Sequence, residues 1–178
     1  MKKLSIIIFC AMSSLAFSQV IIGDNTGTAT DKTSVLLEFA ANQNKGLVLP
    51  YVKTLPSGAG LSEGTIILDA SNASQARVKF YNGTWMDLSG QDADVSAALA
   101  NQPDTSENSN AKAIIGADTT TAEGVLVLES SNKAMVLPTV ESTDDIPQPA
   151  AGMMVYINKT GAKRLAVFNG SKWSFWKP

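Results

Sequence analysis

The sequence contains no histidine and only one cysteine in 178 residues. A His-based triad and a His-ligated zinc site are therefore excluded. The one thiol, Cys10, falls in an N-terminal apolar stretch, so the rest of the chain has no thiol chemistry and no disulfide. Charge is also sparse. Charged residues make up 17%, with 14 Lys+Arg against 16 Asp+Glu and no basic cluster, which argues against nucleic acid as a partner. No P-loop, GxSxG or GxGxxG occurs, and no helical pattern opens after Gly58-Ala59-Gly60. Glu38 and Glu129 each read as a lone strand-end charge, and Asp92/Asp94 and Asp144/Asp145 lack the spacing of a calcium loop. No catalytic residue, metal ligand or cofactor is predicted. A carboxylate-only hydrolase is one enzyme chemistry that the composition leaves open.

What is present begins with a leader. Lys2 and Lys3 precede an apolar stretch from Leu4 to Phe17, and Ala16-Phe17-Ser18 places small residues before Gln19. This predicts a signal peptide over residues 1–18 and a secreted protein, in the periplasm, outside the cell or on its surface. No stretch after the leader is long and apolar enough to predict a membrane span.

The remainder repeats itself. Ile21-Ile22-Gly23 recurs as Ile114-Ile115-Gly116, and Leu37-Glu38 as Leu128-Glu129. NKGLVLPYV from Asn44 recurs as NKAMVLPTV from Asn132, with six of nine residues identical. Gly64 and Gly152 open apolar runs, Arg77 and Arg164 open segments ending in Asn-Gly, and Trp85 matches Trp173. The order never changes. Residues 19–88 are thus read as one β repeat and 113–178 as a second. Residues 89–112 join them, as a flexible connector or with a short helix over Asp92–Asn101.

Short Val/Ile/Leu-rich runs bounded by Gly, Pro and Asn predict strands. The expected fold is all-β: two tandem copies of a small antiparallel unit. The continuous apolar runs Ile66–Leu68 and Met153–Ile157 predict strands covered on both faces. Pro50 and Pro138 are expected to end strands and block further pairing. Asn82-Gly83 reads as a two-residue hairpin turn that sets Phe80 opposite Trp85. Asn169-Gly170-Ser171 is one residue longer and sets Val167 opposite Trp173 and Leu165 opposite Phe175. Trp85 and Trp173 are then core aromatics. Trp176 lies on the other hairpin face, and with Tyr81 it is the candidate surface for a glycan. Each repeat has only about 65–70 residues, a marginal size for a lone domain. Its apolar surface must be buried against the other repeat or another chain, and homo-oligomerisation is the favoured outcome.

The ordered set IIG, LE, NKGLVLP or NKAMVLP, GTIIL or GMMVY, and FYNGTW or VFNGSKW, present twice in these forms, resembles secreted, cell-surface and tail-fibre-like β-repeat proteins of Gram-negative bacteria. Tyr51 and Thr139 stand where that family often has Arg, and Ala134 where it has Gly. The resemblance implies a non-enzymatic, surface- or fibre-associated protein, often trimeric. The resulting expectation is an adhesin-like component that self-associates, with a glycan or cell-surface protein as its target. The alternative is a soluble lectin-like module that uses exposed aromatics.

Overall fold

The computed structural model describes residues 19–102, 108 and 111–176. Residues 1–18, where the sequence predicts a leader, and most of the polar segment after Gln102 lie outside those residues. The first repeat contains β1 (Val20–Ile22), β2 (Val35–Phe39), β3 (Leu47–Val48), β4 (Tyr51–Val52), β5 (Ile66–Asp69), β6 (Arg77–Tyr81) and β7 (Trp85–Asp87). A five-residue helix, α1 (Ser96–Ala100), follows. The second repeat supplies β8 (Ala113–Ile115), β9 (Leu126–Leu128), β10 (Ala134–Met135), β11 (Thr139–Val140), β12 (Met153–Ile157), β13 (Arg164–Phe168) and β14 (Trp173–Trp176). The same seven strands thus recur in the same order.

Pairing recurs as well. β1 pairs β2 in parallel, as β8 pairs β9. β4 pairs β5 in parallel, as β11 pairs β12. The rest is an antiparallel meander, β5-β6-β7 in one repeat and β12-β13-β14 in the other. The expectation of purely antiparallel units is therefore corrected. Parallel pairing of consecutive strands makes the chain wind through a full turn between them, a crossover of about a dozen residues. The protein is predominantly β, with repeated solenoid-like windings and one short helix.

The prolines behave differently from expectation. β3 and β10 do stop before Pro50 and Pro138, but pairing resumes on the next residue. Each Pro contributes its carbonyl, which accepts the Leu68 N–H at 3.0 Å and the Tyr156 N–H at 2.9 Å. Proline lacks only the donor, so a ladder that needs its acceptor survives.

Both hairpins are one residue longer than the sequence suggested. Tyr81 pairs with Trp85, and Phe80 with Met86, around a loop of Asn82, Gly83 and Thr84. Phe168 pairs with Trp173, Val167 with Ser174, and Leu165 with Trp176. Loop bonds set both registers: Asn82 N–H donates to the Thr84 carbonyl, and Asn169 N–H to the Lys172 carbonyl. Glycines at positive φ close the loops, Gly83 at 74° and Gly170 at 112°.

One core joins the repeats. Leu49, Leu68, Ala70, Ala76, Val78 and Val95 from the first half pack with Ala151, Met154 and Val167 from the second. The helix lies against this cluster through Ala98 and Leu99. A second cluster, Val140, Ile146, Met153, Val155, Ile157 and Ala166, belongs to the second repeat alone. At the matching positions of the first repeat, Asp69 replaces Ile157 and Lys79 replaces Ala166, and these two form an ion pair at 2.7 Å.

Candidate functional site

The predicted surface residues do not converge. Tyr81 is half-buried in the β4-β5-β6-β7 sheet, and its ring packs on Trp85 with centroids 5.3 Å apart. The Trp85 indole donates to the Pro56 carbonyl at 3.3 Å. Trp176 sits in the other meander and is 47% exposed. Its partner across the hairpin is Leu165, so it shares a face with Leu165 and Val167 rather than with Phe168 and Arg164, a correction that follows from the one-residue register change. Phe175 takes the place beside Arg164, whose guanidinium lies 5.4 Å from the ring centre. Trp173 is half-buried against Phe168, with centroids 5.2 Å apart.

The Trp176 indole N–H donates to the Leu88 carbonyl at 2.6 Å, across the two repeats. Ser174 Oγ accepts from Gln91 Nε2 at 3.2 Å and donates to the Ser89 carbonyl. Asn169 is fully buried. Its Nδ2 donates to the Gln91 carbonyl at 2.8 Å, and its Oδ1 accepts from Ser171 and Lys172 N–H at 3.0 and 2.9 Å. The turn of the second hairpin is therefore fastened onto residues 88–91. The sequence held no signal for this, because the partners are about 80 residues apart and individually ordinary.

Glu38 is another departure. It is a buried mid-strand residue, not a strand-end charge. Burial pushes its carboxyl up, but the Lys32 ammonium and the Ala29 and Thr28 N–H groups outweigh that and hold it below the usual range. Gln19 Nε2 also donates to it, at 2.5 Å. Glu129 is not its structural counterpart. Ile22 O accepts from Ala40 N–H, whereas Ile115 O accepts from Glu129 N–H. Glu129 thus stands in the ladder place of Ala40, and its carboxylate accepts from Thr120 Oγ1.

A polar groove on the first repeat gathers Asp69, Arg77, Lys79, Asp87 and Asp92. Arg77 bonds Asp87 and Asp92, both at 2.6 Å. Burial raises Asp87, but the Ser89 and Gly90 N–H groups and Arg77 bring it below its ordinary value. The cations of the groove are thus held by its own carboxylates, which suits a structural network. Among the described residues no group of three or more His, Cys, Asp or Glu is placed to hold a metal ion, and no helix is long and apolar enough to cross a membrane.

The repeats also exchange strands. β3 of the first repeat pairs antiparallel with β12 of the second, Val48 opposite Met153 and Leu47 opposite Met154. β10 of the second pairs in parallel with β2 of the first, Ala134 beside Val35. Each short strand after an Asn-Lys pair is donated to the other copy. Each copy thus completes a sheet of the other within the chain. Residues 114–177 match the family of phage tail like trimerisation regions. That match covers the second repeat and not the first. Among curated proteins and solved structures, none matches the chain.

Proposed function

We propose that the protein is a secreted, non-enzymatic structural component of a surface fibre or appendage, adhesin-like, and that it works as a homotrimer. The observation that carries this reading is the trimerisation-region match over a unit that occurs twice and already exchanges strands between its copies. Secretion is supported by Lys2, Lys3 and the apolar run that follows. The family resemblance supports the surface location. A glycan or cell-surface protein is the proposed target of the assembled particle. Light scattering on the purified protein, with fractionation of producing cells, tests the reading. Three times the chain mass and recovery with the cell surface or shed fibres are expected. A monomer that binds a glycan array would replace it with the lectin alternative.

A further inference from the structure

The strand exchange inside the chain fills one acceptor edge of each kind, and what it leaves open is its own complement. β12 has a shared edge: β11 takes Tyr156 and Ile157, and β3 takes Met153 and Met154. On β5 the corresponding edge is half filled. β4 takes Leu68 and Asp69, and among the described residues no strand takes Thr65 and Ile66. β2 lies between β1 and β10, while among the described residues β9 pairs with β8 alone. The exposures follow: Val35 and Leu37 of β2 are 5% and 0% exposed, but Leu126 of β9 is 43% and the adjacent Val125 is 65%. Val48, on the outer side of β3, is 46% exposed.

Hydrogen-bond parity agrees. Leu49 N–H reaches the Gly152 carbonyl at 3.1 Å, so Leu47 and Leu49 point at β12. In the second repeat Ala134 and Val136 N–H are spent on the Ser34 and Leu37 carbonyls of the first, which turns Met135 and Leu137 to the opposite edge. These are the counterparts of Leu47 and Leu49. Side-chain size agrees too. A Cβ on Gly46 would lie 2.3 Å from Met153 Cγ, so the in-chain joint requires glycine there. The counterpart of Gly46 is the exposed Ala134, and the counterpart of Met153 is the shorter Thr65. The methyl added at Ala134 thus meets a smaller Thr65 in place of Met153, while Val155, the other neighbour at 2.8 Å, is replaced by Ile67.

Resting on the self-association reading above, we propose that chains join head to tail through a copy of the in-chain joint. β10 of one protomer pairs antiparallel with the Thr65–Ile66 edge of the next, Val136 opposite Thr65 and Met135 opposite Ile66. At the same joint β3 of that next protomer lies along β9 of the first. The interface is heterologous, so its rotation determines whether it closes into a ring or continues as a fibre.

Cysteine mapping in a Cys10→Ser background tests the register. Thr65→Cys and Val136→Cys are made in separate proteins and mixed under mild oxidation. A non-hydrogen-bonded antiparallel pair brings Cα atoms within disulfide reach. A covalent heterodimer is expected on a non-reducing gel, and the double variant in one chain should give a ladder. Val48→Cys with Met153→Cys should close within one chain and shows that the in-chain joint is intact. Leu126→Lys, at an exposed position, should lower the native mass without loss of the β circular dichroism. If the unmodified protein is an oligomer and the Val48–Met153 link forms but Thr65 and Val136 do not join, this interface is overturned and self-association stands. A monomeric protein overturns both.

Discussion

At the scale of single residues, Glu38 and Asn169 carry more than their types suggest. Glu38 receives Gln19, Thr28, Ala29 and Lys32, and so fixes residues 19–32 against β2. Replacing it by Gln puts an amide donor against backbone donors, and the expected loss is about 1–3 kcal/mol at neutral pH, read by urea denaturation. The pH dependence has a definite sign. The folded carboxyl is held below its ordinary value, so its stabilisation is complete above the unfolded value of about 4.3 and is lost as pH falls through the lower folded value. Wild type and Glu38→Gln should therefore converge in acid; a gap that persists well below that range would show that charge is not the cause. Asn82 and Asn169 both precede a turn Gly, and the sequence treats them alike. Asn82 is exposed, whereas Asn169 is buried with three side-chain bonds. Asn169→Ala should cost about 2–3 kcal/mol, the penalty of orphaned buried groups. Asn82→Ala should stay within about 0.5 kcal/mol, the usual range for a surface change. Equal melting temperatures for the two variants would contradict the anchoring of the second hairpin.

Among the elements, the strands were legible except the two that follow the prolines. The runs at Ile66–Asp69, Arg77–Tyr81, Met153–Ile157 and Arg164–Phe168 are apolar enough, and flanked clearly enough, to be read directly. β4 and β11 are two residues each, Tyr51–Val52 and Thr139–Val140, which is too few to show any period. Missing them meant missing all parallel pairing after the prolines. The hairpin registers failed for another reason. Asn-Gly announces a turn but does not count its residues, and a one-residue change reassigns every face, which is why Trp176 and Phe175 exchanged places. The strand exchange leaves a testable asymmetry. Gly46→Ala drives a methyl into Met153 Cγ at 2.3 Å and Val155 Cγ1 at 2.8 Å, and should destabilise by about 1–3 kcal/mol, as overpacking does. Ala134→Gly, at an exposed position, should cost no more than about 1 kcal/mol, the backbone-entropy term. A Gly46→Ala protein that melts like wild type would remove β3 from β12.

For the whole molecule, duplication in sequence does not mean two independent bodies. The paired motifs keep their order in the sequence, but the interlocking of the strands was not legible, since no local pattern says which segment receives a strand. The shared core makes cooperativity a direct consequence. Leu68 is fully buried in a cluster that includes Met154 and Val167 of the other repeat. Two separable domains would let damage in one leave the other standing. Here the second hairpin also holds the Leu88 and Ser89 carbonyls, so loosening the first repeat withdraws partners from the second. Leu68→Ala should cost about 2–5 kcal/mol, as large-to-small core changes do. More diagnostic than its size is its reach. With Trp85 as the only tryptophan in one variant and Trp173 in another, denaturation should give coincident transitions, and Leu68→Ala should move both by the same amount. If the Trp85 transition moved while Trp173 kept its midpoint, the copies would be unfolding separately, and the in-chain joint would be too weak to serve as the template for joining chains.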